Sequence, residues 1–423
     1  MQRTESYLLA CSILARRHRV QPAMPATPHS AAAARLAFTQ LAVFYAATFA
    51  SLGVFMQFFP VWLHRARGLD EAAVTLVVSA QIWARTIAGP LFSQWVDRTG
   101  NSRRVLCILA TLSVIAMLAF GAAKSLVALF LCSVLFGCVY SPQFAILDGF
   151  ALHSAHQFAF SFTRCRVWGS LSFLGVIALV GHLLDGAAGE VNPTSNANVI
   201  FVMLVACLCL AFFAGFSLPS LTQPVARGDR APVWVLLRQS QFVLFLLAVG
   251  LIGGSHAAYY SLSTLYWLKN GMGEHTASFL WGEGLLAEIL LFLCVRGMTS
   301  SFRPTTWILI GAVGAVLRWF VIGCTTEPWV LFGINWLHGA SFGCTFLGSM
   351  QFIRLRVPPE FQATAQGLLG AVSSGICSAL CTQIAGKAYM SIGGGTFFLM
   401  CGVAFAGLVL TLVLRQRRRV QLV

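Results

Sequence analysis

Runs of mostly apolar residues, each close to the ~20 that a helix needs to cross a bilayer, recur along almost the whole chain. Twelve can be marked off, at 38–63, 73–95, 104–123, 126–148, 166–185, 198–219, 240–268, 276–296, 305–323, 328–353, 362–386 and 394–414. Only 10% of the residues are charged and the mean hydropathy is +0.78, whereas a soluble chain carries roughly 25% charged residues. Backbone in hydrocarbon must satisfy its own hydrogen bonds, so these runs fold as helices. The formal charge of +15 would suggest nucleic acid in a soluble protein. Here the basic residues sit in short connectors, so the charge reports topology and no nucleic-acid partner is expected. The 13 cysteines form no CxxC pair. Cys377 and Cys381 lie one helical turn apart, but two thiols make a poor metal site, so neither a metal nor a cofactor is expected.

The connectors divide the chain. The longest, at about 219–239, leaves six runs on either side, giving an N-terminal unit at 38–219, a linker at 220–239 and a C-terminal unit at 240–414. Residues 1–37 read as a disordered cytoplasmic tail and 415–423 as a basic one. The stretch "MQRTESYLLACSILARRHR" has its charges in the reverse order of a cleaved signal peptide, and Met24 is an alternative start to Met1. With the N-terminus inside, 21 of the 28 Lys and Arg fall on the cytoplasmic side and five outside, while Arg85 and Arg318 lie within runs. This excess predicts cytoplasmic N- and C-termini, with Arg65 and Arg67 as a local exception. Aligning Trp83 with Trp281 superposes "IWARTIAGPLF" on "LWGEGLLAEIL", an internal similarity typical of transporters built from repeats.

The connector after the second run, "GPLFSQWVDRTGNSRR", carries Gly89, Asp97, Arg98, Gly100, Arg103 and Arg104. It resembles the signature loop of the major facilitator superfamily, which implies a gating role at the helix ends. Ionisable groups inside a membrane span are expensive and usually face a partner or a cavity. Asp148 ends the fourth run and Arg166 opens the fifth, in "FTRCRVWGSLSF". This stretch resembles that of the lactose-type, phenylpropionate-type and nucleoside permeases, in which an acid precedes the second arginine by the same interval. The resemblance implies that Asp148 and Arg166 belong to a solute site, with Phe173 where lactose-type permeases stack a ring on their sugar. Arg164 reads as a loop charge.

The seventh run, "GGSHAAYYSLSTLYWL", resembles the phenylpropionate-type permeases and offers His256 and Tyr260 for solute contact. Its Gly253 and Gly254 permit bending or close packing. The eighth, "LWGEGLLAEILLF", places Glu283 and Glu288 about 140° apart around a helix, so the two acids cannot share one site. By resemblance, Glu283 meets the arginine of the fifth run. Arg318 and His338 have the separation of the Arg/His pair in lactose-type permeases, but the acid that follows the histidine there is Ser341 here. The proton path of those permeases therefore cannot be copied, and Glu283, Glu288, Asp148 or His338, beside Arg318, must take the proton.

The resemblance implies an all-α membrane protein with twelve transmembrane helices in two six-helix bundles. It also implies a monomer in the inner membrane that moves a small organic solute with a proton by alternating access. An aromatic or other organic acid is favoured as the solute. A sugar or nucleoside symporter, an exporter of the same fold and a non-transporting solute sensor stay open. No nucleophile–base motif, phosphate loop or metal-ligand spacing suggests an enzyme.

Overall fold

The computed structural model describes residues 31–186, 193–221, 233–295 and 302–417. Eleven helical stretches among them are long and apolar enough to cross a bilayer. They are Ala31–Arg67, Glu71–Thr99, Ser102–Ala122, Leu126–Gln157, Phe162–Asp185, Ala197–Ser217, Ser240–Lys269, Glu274–Cys294, Pro304–Cys324, Pro328–Arg356 and Phe361–Gln416, called here spans one to eleven in chain order. The last is two spans in one. A 3-10 turn at Gly393–Gly395 breaks it, and Gly393 takes φ 50, so Thr396–Gln416 forms span twelve. The twelve expected runs thus all appear as helices. Span one is already helical from Ala31, inside the segment expected as tail. The linker holds a short helix at Val233–Leu237. Residues 1–30, the linker centre at 222–232, the loops at 187–192 and 296–301, and the tail at 418–423 lie outside the described residues.

Spans one to six pack among themselves, as do spans seven to twelve, and the halves meet where five crosses eight, two crosses eleven and one crosses seven. Lipid tails are as apolar as leucine, so helices in a membrane associate through close packing rather than through a hydrophobic drive. Small residues permit this. A Cβ on Gly137 would lie 2.5 Å from the Gln81 carbonyl oxygen, and one on Gly375 or Gly386 would strike Thr86 or Thr75 of span two.

Several spans are interrupted, and the interruptions have local causes. Span four breaks at Ser141, because Pro142 has no N–H to give and restarts the helix. Span seven breaks at Ser255–His256, beside Gly250 and Gly254, which pack against Cys377 of span eleven. Spans ten and eleven widen into π-helical turns at Gly339–Cys344 and Ala371–Cys377, a feature frequent at functional sites.

The two ends of the molecule differ. At the end bearing the 67–71 and 269–274 turns the halves are clasped together. Arg65 pairs with Glu274 at 2.6 Å and Lys269 with Glu71 at 3.8 Å. Asp185, ending span five, accepts from the backbone N–H groups of Glu274 and His275 at 2.8 and 3.2 Å, capping the positive end of span eight. Gln383 donates to Ser79 and Gln57 to Ser278. Towards the opposite end, Asp148 and Arg166 keep 41% and 44% of their side-chain surface. The halves are thus clasped at one end and hold a more exposed ion pair towards the other, called here the open end.

Candidate functional site

The N-terminal half contributes a pair. Restarting at Pro142 turns span four so that Asp148 meets the first turns of span five. Arg166 donates through Nε to Asp148 Oδ1 at 3.3 Å, and the Tyr45 hydroxyl donates to the same oxygen at 2.7 Å. The guanidinium lies 5.5 Å from the centre of the Phe49 ring. Arg164, on the opening turn of the same helix, is exposed.

The C-terminal half contributes a denser cluster. Arg318 is wholly buried. It donates to Asn335 Oδ1 from Nε and Nη2 at 3.2 and 3.0 Å, and its guanidinium stacks 4.2 Å from the Tyr259 ring centre and 4.7 Å from that of Trp319. Its Nη1 lies 2.8 Å from His338 Nδ1. Arginine has no acceptor, so Nδ1 must accept, and the single proton of a neutral His338 sits on Nε2. That nitrogen points to Glu288 Oε2 at 4.0 Å.

His256 lies where span seven breaks. Its Nδ1 donates to the Ile252 carbonyl, freed by the break, at 3.0 Å, which leaves Nε2 to accept from the Ser341 hydroxyl at 3.2 Å. Ser341 thus keeps a place in the cluster, but as a neutral donor where the resembling permeases have an acid. Tyr260 lies 5.8 Å from the His256 ring and 6.0 Å from Trp281.

Between the halves, Glu288 is within electrostatic range of Arg166, and Glu283 is within range of Arg318. The sequence reading pairs Glu283 with Arg166; among the described residues it is Glu288 that shares an electrostatic neighbourhood with Arg166. Five residues turn a helix by about 500°, and the rotation of span eight gives Glu288 that position. One oxygen of Glu283 is buried without a hydrogen-bond partner. Phe173 also departs from expectation: it is 7% exposed and packed in the core of the N-terminal half, because its helix lies close against Gly53 of span one. Arg85, from span two, reaches across to donate to the Ser374 carbonyl in the π-turn of span eleven at 2.6 Å.

The signature-loop residues stand apart. Gly100 ends span two with φ 63, its N–H bonded to the Val96 carbonyl, and Asn101 caps span three by accepting from the Arg104 N–H. Arg103 donates to Ser220 and to the Phe216 carbonyl, tying span three to the end of span six. Asp97 and Arg98 are exposed at the open end. The exceptions to the charge rule are explained as well: Arg65 holds Glu274, and Arg67 donates to the Phe120 and Gly121 carbonyls that end span three.

Tyr45, Asn335 and Trp319 were not singled out in the sequence. Asn335 and Tyr45 are polar groups within apolar runs, but uncharged ones of a kind that recurs in many spans. Only the fold shows that they hold Arg318 and Asp148.

A profile of the MFS_1-like family matches residues 38–400. The "Probable 3-phenylpropionic acid transporter" of Escherichia coli (strain K12) is 29% identical over 88% of this chain and 96% of its own length. The maltose permease of Geobacillus stearothermophilus is 24% identical over 90% and 95%. Among solved structures, the nucleoside transporter NupG superposes with a TM-score of 0.76 at 16% identity, covering 90% of this chain and 99% of that one. The protein belongs to the MFS_1-like family and is a multi-pass membrane transporter of the major facilitator fold.

Proposed function

We propose that this transporter is a proton-coupled symporter of a small organic acid, working by alternating access as a monomer in the inner membrane with both termini in the cytoplasm. The observation that carries the reading is one line of polar groups across the two halves: Tyr45, Asp148 and Arg166 on one side, Glu288, His338 and Arg318 on the other. Such groups are retained in a membrane interior when they bind or relay. With its termini inside, the open end faces the cytoplasm.

In this reading Asp148, Arg166, His256 and Tyr260 face the solute. Glu288 takes the proton, because Arg318 occupies Nδ1 of His338 and so disfavours a doubly protonated ring. A proton on Glu288 weakens its attraction to Arg166 and loosens the halves from each other. Glu283 balances the buried charge of Arg318. Gly89, Asp97, Arg98, Gly100, Arg103 and Arg104 shape the cytoplasmic helix ends. The organic-acid assignment draws on the phenylpropionate relative and on the aromatic rings beside His256.

The test is external pH in a lightly buffered suspension of de-energised cells expressing the protein, with 3-phenylpropionate, a galactoside and a nucleoside added in turn. Alkalinisation with the organic acid, lost in Arg166→Ala, is the expected result. Alkalinisation with the galactoside or nucleoside alone would replace the substrate class, and no change with any solute would sink proton symport of these solutes.

A further inference from the structure

The charged groups within the spans around the meeting of the halves include three arginines, Arg85, Arg166 and the wholly buried Arg318, and three carboxylates, Asp148, Glu283 and Glu288. Two of the arginines have acidic neighbours. Arg166 is bonded to Asp148 and in range of Glu288, and Arg318 is in range of Glu283. Arg85 has none among the ion pairs of the described residues. Its hydrogen-bond partner is the Ser374 carbonyl, and the group within its electrostatic range is the Tyr260 ring hydroxyl. A guanidinium half-buried at mid-membrane with a neutral acceptor lacks a counter-charge. Ser374, its partner, is exposed and lies in the π-turn of span eleven.

We propose that Arg85 is the docking group for the anionic head of the solute, and that the ligand is a monocarboxylate carried with one proton in an electroneutral step. This rests on the symport reading and deepens it. The carboxylate takes the place of the Ser374 carbonyl on Arg85, forming a charge-assisted pair. The apolar part of the solute lies against Tyr260, which is in range of both Arg85 and Arg318. Charge balance then supplies the coupling. Empty, the three arginines offset the three carboxylates. With a proton on Glu288 and a monocarboxylate on Arg85, the sum is again zero. An anion alone leaves one negative charge and a proton alone leaves one positive charge, and both are costly to carry through the occluded state.

The experiment uses full-length protein in proteoliposomes and in detergent. In proteoliposomes, uptake of 3-phenylpropionate is driven by a pH gradient with the membrane potential set by potassium and valinomycin. In detergent, equilibrium binding compares 3-phenylpropionate with its neutral amide for wild type, Arg85→Gln and Arg85→Lys. The proposal expects uptake to follow the pH gradient and to ignore the potential. It expects Arg85→Gln to weaken carboxylate binding roughly 10- to 100-fold while changing amide binding less than about twofold, and Arg85→Lys, which keeps the charge but loses the planar fork, to weaken it less than Arg85→Gln does. Uptake that rises with an inside-negative potential overturns the electroneutral step, in wild type and without any variant. Carboxylate binding unchanged in Arg85→Gln overturns the docking role and leaves proton symport standing. No proton-driven uptake of the carboxylate by wild type overturns the symport reading and this inference with it. Should Arg85→Gln fail to fold, Arg85→Lys decides by the same comparison: the docking role expects carboxylate binding to fall more than amide binding, and no such difference overturns it.

Discussion

The two halves hold an arginine in opposite ways. Arg166 keeps 44% of its side-chain surface and meets one carboxylate at 3.3 Å. Arg318 keeps none, and is fixed by Asn335, His338 and two aromatic faces. The same chemical group is an adjustable contact in one half and a rigid fixture in the other. A solute-facing residue has to exchange partners, so it gains from exposure. A residue that sets a histidine tautomer has to stay in place, so it gains from burial and full satisfaction.

This contrast can be broken most directly at the fixture. Arg318→Ala strands Asn335 and Glu283 in the interior and should cost about 3–5 kcal/mol of stability, read as a large fall in melting temperature of the purified protein. A melt close to wild type would make Arg318 as adjustable as Arg166. Next comes Glu288→Gln, which keeps the shape but cannot carry a proton: accumulation against a gradient should vanish while solute exchange across the membrane persists. Retained accumulation would move the proton to Glu283, and the same assay on Glu283→Gln then tests that acid. Arg166→Ala should reverse the pattern of Arg318→Ala, lowering transport at least about tenfold with a stability change of only about 0–1 kcal/mol. The smallest effect belongs to the clasp. Arg65→Ala removes a partly exposed ion pair worth about 0–1 kcal/mol and should raise labelling of a cysteine probe placed at the clasped end a few-fold at most.

Much of this was legible before the structure, for a physical reason. A bilayer demands long apolar helices, so the spans announce themselves, and a charge within such a run is costly enough to stand out. Arg318, His338, Asp148, Arg166 and both glutamates were singled out that way. What stayed hidden depends on helix rotation and on interruptions. Whether Glu283 or Glu288 reaches Arg166 is settled by how span eight turns against span five. That Phe173 is buried follows from the close approach of span one at Gly53. The π-turns that follow His338 and present Ser374 occur in stretches of glycine, serine and alanine, which ordinary membrane helices also contain. Pro142 lies inside the fourth run, which reads as unbroken, and the sequence does not show that it sets where Asp148 points.

The cap that Asp185 places on span eight has a further use. It holds two backbone amide protons, those of Glu274 and His275, rather than side chains. Side-chain replacement at 274 or 275 leaves these two bonds intact. Their hydrogen–deuterium exchange, by contrast, must quicken each time the clasped end parts and slow when it shuts. Under the proposed alternating access these two adjacent amides keep time for the clasped end, and an unmodified protein can be asked, solute by solute, how often that end opens.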